Sequence, residues 1–214
     1  MNPHAPADLL KTSLQQLPLV AILRGLTPPE APAIGQALVD AGFVLLEVPL
    51  NSPQPLDSIA ALATQHPQLL IGAGTVMSAC DVRDVHAAGG RLIISPHFDA
   101  EVVREALRLG MACMPGVATP SEAFAALRAG AHALKLFPAE MIGPAVVKAL
   151  RAVLPTSVPL LPVGGIAPDN MAAYRAAGAS GFGIGSALYK PGQSAAATHA
   201  AALRFIGAWQ QAST

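Results

Sequence analysis

A short phrase recurs along the chain and constrains its fold more than any other feature. A helical pattern closes on alanine or leucine plus glycine, and an apolar run follows. The phrase stands at Ala41-Gly42, Ala88-Gly89, Leu109-Gly110, Ala129-Gly130 and Ala177-Gly178. Glycine just past a helix adopts the left-handed conformation that closes the last turn. Gly89 and Gly110 are 21 residues apart, and Gly110 and Gly130 are 20 apart. That length suits one strand, one helix and two short loops. Helix starts are marked too. Thr27-Pro28-Pro29-Glu30 and Thr119-Pro120-Ser121-Glu122 each fit a capping box with proline at the first helical position. Ser52-Pro53 and Ala167-Pro168-Asp169 read as further starts.

Residues 7–16 are predicted to form a leading helix, and eight strand–helix units follow. The strands are placed at 19–25, 43–50, 69–75, 92–96, 112–116, 132–138, 160–165 and 181–186. The helices are placed at 28–41, 53–65, 79–88, 99–109, 120–129, 144–154, 168–177 and 193–210. The strands are near-continuously apolar, as in a parallel sheet covered on both faces. Eight alternations in 214 residues predict an α/β fold, a (β/α)8 TIM barrel with an extra N-terminal helix. A doubly wound open sheet would need fewer strands and usually a glycine-rich first loop. Here the first strand ends Leu23-Arg24-Gly25-Leu26, which is not G-x-G-x-x-G. No linker or low-complexity tract divides the chain. We expect one domain over 1–214, with 1–17 as a helical extension.

The charge content is low, at 12%, against about 25% in a typical soluble domain. Either an outer surface is buried in an oligomer, or the surface is simply rich in alanine. Basic and acidic residues number 13 each, for a net charge of zero. No general attraction to nucleic acid or to an anionic membrane is expected. No apolar run reaches the roughly 18 residues of a membrane helix, and no secretory signal precedes Cys80 and Cys113. A cytoplasmic protein is expected. Cys113 falls in a strand and reads as a small core residue. His4, His66, His86, His97, His132 and His199 make no metal-binding spacing, so no metal is expected.

Within the sixth predicted strand, Ala133-Leu134-Lys135-Leu136-Phe137-Pro138, one lysine interrupts an apolar run. A lysine is rarely buried unless paired, because burying its charge alone is costly. Burial and a cationic neighbour lower an amine's pKa toward neutrality. A neutral amine can attack a ketone and form a Schiff base. The alternative is a strand-end lysine whose ammonium reaches solvent or a carboxylate.

Catalytic groups of a barrel gather at the C-terminal strand ends. These ends carry Arg24, then Glu47 and Asn51, then Gly74 and Thr75, then Ser95, Pro96 and His97. Pro115 and Gly116 follow, then Lys135 and Phe137, then Gly164 and Gly165, then Gly183, Gly185 and Ser186. Each has an ordinary reading taken singly: a surface charge, a cap, an exposed strand end. Together they outline a site. The loops Gly164-Gly165-Ile166-Ala167-Pro168 and Gly185-Ser186 follow the last two strands. Barrels often bind phosphate there, since N–H groups at a helix start favour an anion and glycine admits close approach. Two tight turns without a ligand would look the same. Glu47 is the natural partner for Lys135, able to move protons as general acid and base.

Five segments resemble a known family. They are Ile22-Leu23-Arg24-Gly25, Glu47-Val48-Pro49-Leu50-Asn51-Ser52-Pro53, Ile71-Gly72-Ala73-Gly74-Thr75-Val76, Leu134-Lys135-Leu136-Phe137-Pro138 and Val163-Gly164-Gly165. Their types and order are similar to those of the 2-keto-3-deoxy-6-phosphogluconate and -phosphogalactonate aldolases over roughly residues 17–192. The resemblance implies a class I aldolase on a (β/α)8 barrel, usually a homotrimer, needing neither metal nor organic cofactor. Its substrate would be a small phosphorylated keto acid. Lys135 stands at the family's Schiff-base lysine and Glu47 at its general acid/base. Thr75 matches a residue contacting the pyruvoyl end. Pro96 and Phe137 match residues shaping the lysine's pocket, and Arg24 matches a substrate-binding arginine. Gly164, Gly165, Gly185 and Ser186 fall in its phosphate loops.

One departure separates the branches. Gluconate enzymes typically carry an arginine on the substrate carboxylate where this chain has Asn51. The version here resembles the phosphogalactonate branch. Losing a bidentate clamp leaves the carboxylate to Thr75, Arg24 or backbone groups. The alternatives are the phosphogluconate activity and a dual-epimer enzyme. A barrel isomerase or epimerase of sugar phosphates, and a non-catalytic sugar-phosphate sensor, are the rivals outside the family.

Overall fold

The computed structural model describes residues 6–211. His4 and the first five residues of the expected extension lie outside the described residues. Helix α1 (Pro6–Gln16) precedes strand β1 (Leu19–Ile22), and an alternation of helix and strand follows. The next elements are α2 (Ala31–Ala41), β2 (Leu45–Pro49), α3 (Pro55–Gln65), β3 (Leu70–Gly74), α4 (Ala79–Ala87) and β4 (Leu92–Ile94). Then come α5 (Ala100–Arg108), β5 (Ala112–Met114), β6 (Gly116–Val117), α6 (Pro120–Ala129), β7 (Leu134–Leu136) and α7 (Pro144–Val153). The chain closes with β8 (Leu160–Pro162), α8 (Met171–Ala176), β9 (Phe182–Ile184) and α9 (Ala195–Gln211).

All strand pairs are parallel. They form two arcs, one of six strands in the order β5-β4-β3-β2-β1-β9 and one of three in the order β6-β7-β8. The expected single run of eight strands is therefore interrupted. The fifth predicted strand breaks at Pro115. Proline has no N–H to give a ladder and fixes φ, so it belongs at edges and breaks. Upstream, Met114 accepts from the Ser95 N–H, while the Pro115 carbonyl accepts from the Lys135 N–H. The chain thus lies between β4 and β7, since the Cys113 carbonyl upstream already accepts from the His132 N–H, and Pro115 interrupts the ladder without a change of neighbour. At the other junction a single parallel bridge joins Val163 to Gly183.

Two apolar layers hold the arcs. Outer-facing strand residues pack under the helices, from Leu19 and Leu46 to Phe182. An inner layer gathers Val20, Leu45, Leu70, Leu92, Ile94, Met114, Ala133 and Leu161. These come from both arcs, so the arcs face each other. Leu10 of α1 joins this inner layer. Period-two alternation then decides where the next inward residues point. Glu47 lies two past Leu45, and Lys135 lies two past Ala133. Both are carried to the interior, one pleat nearer the C-terminal strand ends.

The helix punctuation largely matches the sequence reading. Gly42 (φ 110) and Gly130 (φ 99) close their helices in the left-handed region. Thr119 and Glu122 form a full capping box. At Thr27 only half the box forms. Glu30 accepts from the Thr27 N–H and hydroxyl, but its own N–H bonds the Thr27 carbonyl, so α2 begins at Ala31 rather than residue 28. Likewise α3 starts at Pro55, behind Gln54 at φ 42, and not at Pro53. No helix among the described residues is long and apolar enough to cross a membrane.

Candidate active site

Lys135 and Glu47 are buried, at 6% and 2% exposure. Burial dominates both. It pushes the Glu47 carboxyl up to about 7, against the opposing fields of Lys135 and then Arg24. It lowers the Lys135 amine, partly countered by Glu47, with Arg24 adding to the lowering. The pair therefore approach neutral pH from opposite sides, which suits proton exchange. Glu47 Oε2 has no hydrogen-bond partner among the described residues. The described ion pairs lie elsewhere, where Glu105 meets Arg83 and Arg108 on the surface. A buried carboxylate oxygen without a donor is poorly solvated, and it is available to an incoming hydroxyl.

Small residues clear the space around this pair. A Cβ at Gly74 would overlap the Glu47 carboxylate. Thr75 follows at φ 58, a left-handed conformation that is strained for a β-branched residue. Strain of this kind persists where the surroundings over-determine it, often at sites. Gly116 pairs in register with Lys135, and a Cβ there would overlap the Pro96 carbonyl. Pro96 thus packs beside the lysine's own strand partner. Lys135 Nζ stands 4.6 Å from the Phe137 ring centroid, a cation–π distance.

Above the pair opens a cavity of about 500 Å³. Of the predicted site residues, Arg24, Asn51, Phe137, Gly164, Gly165, Gly185 and Ser186 line it. Lys135, Glu47, Thr75 and Pro96 are not on its wall; Lys135 meets it through the ring of Phe137, and the Arg24 charge acts on both buried groups. The Arg24 guanidinium donates to Asn51 Oδ1 at 2.7 Å. The next residues repeat the link, with the Gly25 N–H donating to Ser52 Oγ at 2.9 Å. The ends of β1 and β2 are thereby clamped together and the guanidinium is aimed. Asn51 is engaged by Arg24 and does not cap α3.

Gly164 (φ 111) and Gly165 (φ 61) turn the chain after β8. Asn170 fastens that turn, donating to the Gly165 carbonyl at 2.8 Å and accepting from the Ala167 N–H at 3.1 Å. Gly185 has nothing within 4 Å of where a Cβ would sit, so its backbone is open to the cavity. Sequence reasoning missed Glu140, Tyr189 and Lys190, which also line the cavity. Reading three residues beyond Phe137 would have found Glu140. Tyr189 is buried with an unpartnered hydroxyl among the described residues, and burial pushes it up to about 12. Nothing in the local sequence marks it apart from a core tyrosine. No three His, Cys, Asp or Glu among the described residues are grouped to hold a metal ion.

The profile of the KDPG and KHG aldolases matches residues 10–201. The chain belongs to this aldolase family. It is 48% identical over 198 residues to the 2-dehydro-3-deoxy-6-phosphogalactonate aldolase of Escherichia coli K12, covering 92% of this chain and 97% of that one. A native KDPGal structure superposes with a TM-score of 0.91 at 47% identity, covering 92% of this chain and 97% of the other. The KDPG aldolase of Legionella pneumophila, with pyruvate captured as a covalent carbinolamine, superposes with a TM-score of 0.79 at 28% identity. That match covers 94% of this aldolase and 97% of the Legionella chain.

Proposed function

We propose that this aldolase cleaves 2-dehydro-3-deoxy-6-phospho-D-galactonate to pyruvate and D-glyceraldehyde 3-phosphate through a Schiff base on Lys135. The carrying observation is the buried Lys135–Glu47 pair beneath a glycine-rimmed cavity. Neutral Lys135 attacks the C2 ketone to give a carbinolamine. Glu47 protonates its hydroxyl, and water leaves. The resulting iminium accepts electrons as the C4 hydroxyl loses its proton and the C3–C4 bond breaks. Glyceraldehyde 3-phosphate departs, the enamine takes a proton at C3, and water hydrolyses the iminium to pyruvate and free Lys135.

In this reading Thr75, Pro96 and Phe137 shape the pyruvoyl end. Arg24, aimed by Asn51, faces an anionic group. Gly164, Gly165, Gly185 and Ser186 receive the phosphate through backbone N–H groups and a hydroxyl. The galactonate substrate is favoured by Asn51 and by the near-half identity to the E. coli enzyme of that name. We further propose that the two arcs are walls of one (β/α)8 barrel in a single domain, with α1 across its lower mouth. The shared inner layer and the bridge at Val163 support this. A cytoplasmic homotrimer fits the low charge and the exposed Phe124, Val146 and Val153 on α6 and α7. Borohydride reduction with pyruvate should add the reduced pyruvoyl group at Lys135, read by peptide mass; no adduct, with turnover intact, defeats the mechanism. Comparing kcat/KM on the two C4 epimers tests the substrate, and sedimentation tests the trimer.

A further inference from the structure

The proposed chemistry leaves two charged residues of the cavity unused, Lys190 and Glu140. Glu140 lies in the turn between β7 and α7, and it is the sole acid on the described cavity wall. The other charged lining residues, Arg24 and Lys190, are cations. The Glu140 side chain lies across the glycine corner. A Cβ at Gly164 would overlap Glu140 Oε2, and one at Gly165 would stand 3.1 Å from its Cγ and 3.3 Å from its Oε1. The absence of side chains at 164 and 165 lets a carboxylate settle on this backbone. It is the same absence that would let a phosphoryl group do so. The two anions cannot share the corner, since steric overlap and like-charge repulsion both oppose it.

Glu140 is also free to leave. It is exposed, its neighbour Met141 is 79% exposed, and no hydrogen bond or ion pair holds the carboxylate among the described residues. We propose that Glu140 is an internal competitor for the phosphate corner. Its carboxylate covers Gly164 and Gly165 in the free protein and must swing out before a phosphorylated substrate seats. A strongly charged phosphoryl group, met by Lys190 and open N–H groups, displaces it. A weaker anion at the same corner does not. Glu140 therefore sets the threshold that a ligand's terminal anion must exceed. This inference rests on the phosphate reading of the two glycine loops.

The test uses the full chain with Glu140→Gln and Glu140→Ala. Three quantities are measured: KM for the phosphorylated substrate in the cleavage direction, Ki for inorganic phosphate, and pyruvate trapping by borohydride. The first two should fall together by about fivefold in both variants, the size of one partly screened charge contact. Trapping reads only the lysine end and separates loss of the pyruvoyl pocket from a change at the phosphate corner. Unchanged KM and Ki would overturn the proposal. A raised KM would overturn it too, since Glu140 would then be holding substrate. If wild-type protein neither traps pyruvate nor cleaves substrate, the aldolase reading fails. Calorimetric titration of inorganic phosphate into wild type and Glu140→Gln then still decides the role of Glu140.

Discussion

The two ends of the cavity do their work with opposite materials. At the lysine end, buried side chains carry the chemistry, and glycine serves to make room for them: Gly74 for the Glu47 carboxylate, Gly116 for Pro96. At the phosphate end the backbone itself is the functional surface. There Gly164 and Gly165 turn through positive φ beneath Glu140, and Gly185 has nothing within 4 Å of where a Cβ would sit. The difference follows from what each end must stabilise. Proton transfer needs groups whose pKa values are moved, and burial is what moves both of these. A phosphoryl group arrives with its charge and needs only donors placed around it.

The contrast is broken most severely at Lys135. Lys135→Ala should lower kcat by about 10⁴-fold or more while leaving inorganic phosphate binding near that of wild type. Loss of both together would show that the two ends are not separable. A stability measurement sharpens the same point. Glu47 is raised from 4.5 to about 7 in the folded protein. Its contribution is complete below pH 4.5 and is lost as pH rises through 7. Urea unfolding across that window should show wild type losing on the order of 3 kcal/mol relative to Glu47→Gln, which does not titrate. Parallel profiles would mean that the carboxyl is hydrated after all.

Next in size is Gly74→Ala. The added methyl must displace the Glu47 carboxylate, and a misplacement of about 1 Å can cost roughly 100-fold in kcat. At the phosphate end, Gly164→Ala should act on binding instead, raising KM for the phosphorylated substrate about tenfold through loss of backbone approach. A kcat loss there matching that of Gly74→Ala would erase the distinction. The smallest effect is expected at Asn51. Asn51→Arg removes the acceptor of Arg24 and sets a second guanidinium beside it. A change of about threefold in KM for pyruvate in the aldol direction, and a shifted epimer ratio, are expected from one altered carboxylate contact. An unchanged ratio would restrict Asn51 to holding the β1–β2 corner.

Much of this was legible in the amino-acid order. Glycine after five of the helices and threonine–proline before two announce the alternation, because those conformations are local. Alternation puts Glu47 on the face of Leu45 and Lys135 on that of Ala133, and the inner layer shows that this face is the interior. What could not be read depends on contacts between distant residues. Pro115 looks like a strand end, and only its partners reveal that it breaks a ladder lying between β4 and β7. Asn51 fits a helix cap in sequence, and it took Arg24, 27 residues away, to claim its oxygen. Glu140 is an ordinary turn residue until β8 delivers two glycines beneath it.

Helix α1 and the C-terminal turn of the last helix pack far from this chemistry. Leu10 plugs the inner layer at the N-terminal ends of the strands. At that same end, Trp209 of α9 stacks under the guanidinium of Arg175 at 4.0 Å and gives it a carbonyl acceptor at 2.7 Å. Helix α1 and the C-terminal turn of α9 are therefore both anchored at the N-terminal ends of the strands. The molecule is thus fastened at one pole and open to small molecules at the other.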